Sequence, residues 1–325
     1  MSTRHRVRCP YCNKLNTYFE EDGQGTCRRC RLPLEKSAHK KWKQVDADAY
    51  IHPLDRQALQ TLRAVPGVDT ILKKLISFTS ERMYRVMFKA NSVKVGPNQY
   101  AHLDEKLQVV CNTLGLKKPE LYVSVSSMGG LAINAFTTGT DDPFVVVYAG
   151  LIERLSEEEL LAVLAHEMGH IHCEHLLYKA AANTLIMLLG TTLGRTPAGA
   201  ILSTISLPIK IALLMWSHKA ELSCDRAAML VVQDREVVMN ALIKISGGVL
   251  NDELNLDAYL EQARDFDRAY DEDFLDKMWT LIVASQSSHP FPVWRISEIL
   301  KWTEDSSERG YQALAANDDH IRYFP

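Results

Sequence analysis

The sequence lacks an apolar run long enough to cross a bilayer. Its most apolar stretch, 180–194, is about fifteen residues long and stops at Arg195, and the next, 198–216, carries Pro208 and Lys210 inside it. A spanning helix needs about eighteen apolar residues or more. The pair is therefore expected to fold as a buried helical hairpin, with peripheral membrane contact left open. Also missing is an apolar core behind the basic residues at 1–6, which argues against a secretory signal and makes the cytoplasm the expected compartment. The seven cysteines are odd in number, and Cys111, Cys173 and Cys224 are scattered without a pairing pattern. That excludes a disulfide scaffold and fits a reducing compartment. No repeat is visible, and 37 Lys+Arg against 40 Asp+Glu leave a net charge of −3 that by itself implicates no partner.

What is present is the composition of a folded protein, 46% apolar and 24% charged over 325 residues, enough for one large domain and one small one. The charge is unevenly placed. Residues 1–45 hold eleven Lys/Arg against four Asp/Glu, a charge of +7 that leaves −10 for the rest. The basic part contains two C-x-x-C knuckles, Cys9/Cys12 and Cys27/Cys30, with fourteen residues between them. Four thiolates close a tetrahedral structural zinc site, and a module this small cannot build a core without metal. Residues 1–35 are thus expected to be a zinc ribbon, with its hairpin turn near Gly23 and Gly25, and 36–52 a polar linker. Arg4, Arg6, Arg8, Arg28, Arg29 and Arg31, with Tyr11 and Tyr18, could touch nucleic acid. A solvated basic surface or a knob that docks a protein partner is the favoured reading, because nothing in the body suggests nucleic-acid work.

The main domain, 53–325, carries its chemistry on one expected helix. Ser156 followed by Glu159 is a capping-box signature, Leu160, Leu161, Val163 and Leu164 supply an apolar stripe, and no proline interrupts the run. His166 and His170 are four apart and share a face, the arrangement that holds a zinc ion, and Glu167 can then act as base on a water polarised by the metal. The flanking apolar residues imply burial, and buried His and Glu need partners. Catalytic zinc takes three protein ligands and an open position. Glu221 and Asp225, again four apart on an expected helix, supply a third ligand and a carboxylate to accept a hydrogen bond from a ligand imidazole.

These residues resemble the gluzincin metallopeptidases. Asn134-Ala135-Phe136 is similar to the N-A-F segment of the HtpX-like peptidases, which include the CAAX prenyl proteases, and His289-Pro290-Phe291-Pro292-Val293-Trp294-Arg295 resembles their late H-P-x-x-x-x-R segment. The likeness spans about 53–302. It implies a zinc-dependent endopeptidase acting on unfolded or membrane-derived polypeptides, as in protein quality control. It also places Asn134 and Arg295 beside Asp225 around the metal. Two zinc ions are expected, one catalytic and one structural. Pro290 and Pro292 stiffen the loop of His289, which is favoured as an oxyanion donor with Arg295 as its structural or substrate-carboxylate partner. The resemblance also allows His289 to be a latch in the open metal position.

Around the metal helix, helical periodicity is expected over 53–63, 68–89 and 103–114, and short strands over 121–125, 131–136 and 144–148, with helices after Gly150. A small antiparallel or mixed sheet inside a mostly helical body is an α+β fold. The alternative function is a non-catalytic adaptor that keeps the metal site as structure and binds through its ribbon. Retention of Glu167, which binding alone does not need, weighs against it.

Overall fold

A helix apolar on every side must be surrounded by protein. In the computed structural model this helix, Glu157–His172, is buried continuously from Glu159 to His170. The described residues are 4–19, 25–34, 42, 44–76, 81–125, 133–189, 207–246, 258–262, 264–265 and 292–316.

In chain order the ribbon contributes β1 (Arg4–Arg8) and β2 (Leu15–Phe19). The body follows with α1 (Pro53–Arg63), α2 (Val68–Ile76), α3 (Glu81–Asn91), β3 (Val93–Lys94), α4 (Ala101–Leu114), β4 (Glu120–Ser124), β5 (Ala135–Thr138) and β6 (Phe144–Tyr148). Then come α5 (Ala149–Arg154), α6 (Glu157–His172), α7 (Leu176–Leu189), α8 (Leu207–Val232), α9 (Arg235–Ile245), α10 (Pro292–Glu304) and α11 (Tyr311–Ala316). Helices α4, α8 and α9 and the strand β5 pack against α6.

The body sheet runs β3-β4-β6-β5, with β4 and β6 parallel (Glu120↔Phe144 to Ser124↔Tyr148) and β5 antiparallel to β6 (Ala135↔Val147 to Thr138↔Phe144). Alternate residues of β6 face opposite layers: Val145 and Val147 join the main core, while Phe144 and Val146 join Phe88 and Tyr122 behind the sheet. The sheet is mixed, and β5 is an edge beside the metal helix. The two-residue β3 is too short for any periodicity in the sequence to register.

Other departures have local causes. The helical pattern 68–89 forms two helices, α2 and α3, with 77–80 outside the described residues. Of the strand expected at 131–136, residues 131–132 also lie outside, and β5 extends two residues beyond its expected end. Pro208 does not break α8, because it sits in the first turn, where its missing N–H has no intrahelical partner to lose. One helix therefore runs from the apolar stretch through to Val232, packed on α7 and α6. The connection at 190–206 lies outside the described residues. Among those described, no helix is long and apolar enough to cross a membrane.

The β1–β2 hairpin turns at the first knuckle, and Gly23, where a turn is also expected, lies outside the described residues. Cys9 N–H donates to Lys14 O at 2.9 Å and Asn13, at φ 60°, donates back to Cys9 O at 3.0 Å. The second knuckle repeats the design, with Cys27 N–H to Leu32 O at 2.9 Å and Arg31 at φ 63°. Within 36–52, read as a linker, Trp42, Val45 and Tyr50 are buried, and Val45 N–H donates to Thr113 O at 3.0 Å. These residues, with Cys9, Cys30, Leu32 and Leu34, belong to the core that holds Leu107, Leu160 and Leu161. Ribbon and body share one apolar interior.

Candidate active site

The start of α6 is secured three ways. Ser156 Oγ accepts from Glu159 N–H at 3.2 Å while Glu159 Oε2 accepts from Ser156 N–H at 2.6 Å, a complete capping box. Glu157, Glu158 and Glu159 place negative charge at the positive end of the helix dipole. Ribbon and body both partner these carboxylates: Tyr11 OH of the ribbon donates to Glu158 at 3.1 Å, Arg31 of the ribbon pairs with Glu157 at 3.4 Å, and the buried Lys106 of α4 bridges Glu157 to Cys30 O. Arg29 pairs with Glu105 at 2.6 Å. Two of the ribbon arginines considered for nucleic acid thus bind the body.

Three turns along, α6 meets α8 at Gly169. A Cβ there would lie 3.0 Å from Cys224 Cα and 3.1 Å from Ala227 Cβ, so the two helices touch backbone to backbone. This contact brings Glu221 against both histidines. His166 Nε2 is 3.1 Å from Glu221 Oε2 and His170 Nε2 is 3.3 Å from Glu221 Oε1, with Glu221 only 1% exposed. Asp225, one turn on, lies 2.9 Å from His166 Nδ1. Arg295, on the first turn of α10, grips Asp225 with Nε at 2.7 Å and a second nitrogen, and places a third 3.7 Å from Glu221. Burial would raise the Asp225 pKa, but the Arg295 charge and hydrogen bonds hold it below the ordinary carboxylate range. Asp225 is therefore an acceptor. It takes the Nδ1 proton of His166 and turns Nε2 toward Glu221.

The donor set fits a metal ion. Zinc–ligand bonds of about 2.0–2.1 Å in a tetrahedron put neighbouring donors about 3.3–3.4 Å apart, close to the two distances found. The site also gathers positive charge: Lys179 Nζ reaches Glu221 Oε1 at 3.1 Å and contacts His170 Nε2. Burial and then Lys179 push the His170 imidazole well below its usual pKa, leaving it neutral, as a ligand must be. On His166 burial also acts downward, but the bonds to Asp225 and Glu221 prevail and raise it to about 8. Cys224 groups with His166 and His170 as a further candidate ligand. Its sulfur lies 3.8 Å from His175 Nδ1, and burial pushes its pKa well up, against the thiolate form that metals take.

Glu167 is 2% exposed and is held from the sheet: Thr137 Oγ1 on the edge strand donates to Glu167 Oε2 at 2.8 Å and lies 3.0 Å from Glu167 O. Beside it opens a cavity of about 290 Å³ whose wall includes Val163, Val238, Ala241, Leu242 and Ile245, with His166 and Glu167 at its edge. Asn134 also lines it, but its side chain caps its own strand at Ala135 N (2.9 Å). Its backbone carbonyl accepts from Tyr148 N–H at 3.0 Å. Arg295 is consumed by Asp225 rather than offered to a substrate carboxylate, and His289 lies outside the described residues.

The buried HExxH helix thus meets a buried glutamate from a crossing helix. The profile of Peptidase family M48 matches residues 97–303. The chain belongs to peptidase family M48. This M48 chain is 39% identical over 282 residues to the plastoglobule-localized metallopeptidase 48, chloroplastic, of Arabidopsis thaliana, covering 85% of this chain and 78% of that protein. It is 30% identical over 172 residues to a protease HtpX homolog of Acaryochloris marina, covering 46% and 57% respectively. Its likeness to the crystal structure of S. mikatae Ste24p is weak, with a TM-score of 0.38 and 16% identity over 79% of this chain and 68% of that one. The M48 chain is accordingly a zinc metallopeptidase, in keeping with its motifs.

In the ribbon of this M48 peptidase, Cys9 and Cys30 sulfurs lie 3.6 Å apart, as do those of Cys12 and Cys27, and all four fall within 4.8 Å of one another. Such spacings exclude disulfides and match the roughly 3.8 Å between sulfurs around a zinc held by bonds of about 2.3 Å. Thr137, Lys179, Asp55 and His175 carry no motif that marks them in the sequence. Only His175 leaves a trace there, as the last of four histidines in ten residues.

Proposed function

We propose that this M48 peptidase binds its catalytic zinc through His166, His170 and Glu221 and cleaves extended polypeptide segments with Glu167 as general base. The observation that carries the reading is the convergence of two Nε2 atoms on one buried carboxylate, at 3.1 and 3.3 Å, beside a glutamate pinned to a sheet edge. Zinc, when bound, supplies a Lewis acid that acidifies water and polarises the scissile carbonyl. Glu167 takes the proton of the attacking water and passes it to the leaving nitrogen. Thr137 keeps its carboxylate in place, and Asp225 with Arg295 fixes the plane of His166.

Among the described residues β5 has no strand on its outer side, which gives an extended peptide backbone to join, and the apolar cavity next to Glu167 accepts an apolar side chain. Both features favour unfolded or membrane-derived segments over compact domains, in keeping with protein quality control. The Arabidopsis relative is named for its place on plastoglobules, so lipid-associated polypeptides belong among the substrates tested. Cys9, Cys12, Cys27 and Cys30 hold a second, structural zinc. Residues 1–35 remain the proposed ribbon unit, 36–52 its connection and 53–325 the peptidase unit.

Metal analysis and peptide hydrolysis test this together. The wild type should carry two zinc ions and His170→Ala one. Glu167→Gln should keep both while hydrolysis drops by about 100- to 10,000-fold. Substantial activity in Glu167→Gln would remove the base assignment. Equal cleavage of a folded protein and its denatured form would remove the substrate assignment.

A further inference from the structure

Behind the metal face of His170 lies a second buried polar chain. His170 Nδ1 is 3.3 Å from His175 Nδ1, and His175 Nε2 is 2.9 Å from Asp55 Oδ2. His170, His175 and Asp55 are each 0% exposed. Asp55 sits on the first turn of α1, upstream of the span matched by the family profile. Its other partners are donors. Trp216 Nε1 donates to Oδ1 at 2.9 Å, and Ser223 Oγ, whose oxygen already accepts from His52 N–H at 2.9 Å, donates to Oδ2.

The direction of this chain follows from what each atom can do. An indole N–H only donates, and a carboxylate only accepts. Asp55 therefore takes the proton of His175 Nε2, which leaves a lone pair on His175 Nδ1. A lone pair there, 3.3 Å from His170 Nδ1, requires His170 to carry its proton on Nδ1. The lone pair of His170 is then on Nε2, the atom that faces Glu221.

We infer that Asp55, acting through His175, is a positioning residue for the metal, because it sets the tautomer and ring plane in which His170 offers Nε2. This rests on the zinc site proposed above and extends it by a device from a helix outside the matched span. It is the counterpart, on the second histidine, of what Asp225 does for His166. Each ligand imidazole is thus held by a carboxylate, His166 directly and His170 through an intervening ring.

Asp55→Asn tests the direction and not merely the packing. Trp216 can only donate, so the amide oxygen stays at the Oδ1 position and the amide nitrogen turns to His175 Nε2. The chain then runs backwards: His175 Nε2 accepts, its Nδ1 carries the proton, and His170 must hold its own proton on Nε2 against the metal. His175→Leu removes the link. His175→Gln restores it, with an amide oxygen to accept from His170 and an amide nitrogen to donate to Asp55.

The experiment is zinc competition against a chromophoric chelator on the full-length protein, with the apo-protein melting temperature measured in parallel. His170→Ala identifies which zinc is catalytic. Asp55→Asn and His175→Leu should weaken that zinc by about 10- to 100-fold, the usual effect of losing a partner behind a ligand, while the cysteine-bound zinc is unchanged. His175→Gln should recover most of the affinity. If His170→Ala loses one zinc but Asp55→Asn and His175→Leu bind it as the wild type does, the inference is overturned and the metal site stands. Equal weakening in His175→Gln and His175→Leu would also overturn it, by showing that the ring only fills space. If His170→Ala keeps both ions at full affinity, the metal site itself is wrong. Should Asp55→Asn not fold, the pair of His175 variants decides.

Discussion

Replacing Gly169 by alanine sets two effects of opposite sign against each other at the point where the site is assembled. Alanine is favoured over glycine inside a helix by about 0.8–1.0 kcal/mol. The added methyl would, however, lie 3.0 Å from Cys224 Cα, 3.1 Å from Ala227 Cβ and 3.3 Å from Cys224 Cβ. Carbon contacts relax at about 3.5–4.0 Å, so α8 must retreat by roughly 0.5 Å or more against a close-packed interior. Overpacking of this kind costs about 1–3 kcal/mol, which outweighs the helix gain and leaves a net loss of up to about 2 kcal/mol. At about 2.1 cal/mol/K of unfolding entropy per residue, a chain of 325 residues shifts by about 1.5 °C per kcal/mol, so the melting temperature should fall by up to about 3 °C. The metal should suffer more than the fold. Metal–ligand distances tolerate about 0.2 Å, and Cys224 is the neighbour of Asp225 and three residues from Glu221, so a shift of the backbone there carries both carboxylates away from the histidines. Zinc affinity should drop on the order of tenfold or more. Thermal melts with and without chelator, together with zinc competition, read both quantities. A Gly169→Ala protein that melts at or above the wild type and binds zinc equally well would refute the close-approach account.

Cys27→Ser should release the ribbon zinc and lower the melting temperature of the whole chain in one shifted transition, because Tyr11, Arg31 and Lys106 join the ribbon to the first turn of α6. A separate early transition, with the catalytic zinc unaffected, would mean that the ribbon is an autonomous module. Ala241→Phe should fill the apolar cavity and slow cleavage beside large apolar residues more than beside alanine, at unchanged zinc content; a peptide-library profile like that of the wild type would separate the cavity from specificity. Glu298 binds His52 at 3.0 Å, and although burial acts upward, its bonds to His52 and Lys301 hold its pKa at about 2 against 4.5 when unperturbed. A depressed carboxyl contributes stability that is complete above its unfolded pKa and is lost as pH falls through its folded one. Glu298→Gln should therefore be less stable than wild type at neutral pH, with the difference shrinking between about pH 4.5 and 2; a difference independent of pH would contradict the pairing.

The capping box, the pair His166 and His170, the repeat of that spacing in Glu221 and Asp225, and the two C-x-x-C knuckles are legible in the sequence by itself. Each is a local pattern: four residues of helix return a side chain to the same face, and two residues of turn return a cysteine to the same ion, whatever the rest of the chain does. The central strands are legible for the same reason, since Phe144 to Tyr148 is apolar throughout and buried on both faces. What the tertiary structure decided lies between elements remote in sequence. Thr137 meets Glu167 across 30 residues, and Asp55 meets His175 across 120. Lys179 reaches Glu221 across 42, and Tyr11 meets Glu158 across 147. None of these pairs has a spacing that implies contact, because which faces meet depends on the docking of α6, α8 and the sheet edge, and that is set by the closest approach their side chains allow. The residues able to bind zinc, and Asp225 behind them, are therefore written locally, while the Asp55 carboxylate, the Thr137 hydroxyl and the His175 ring come only with the packed fold.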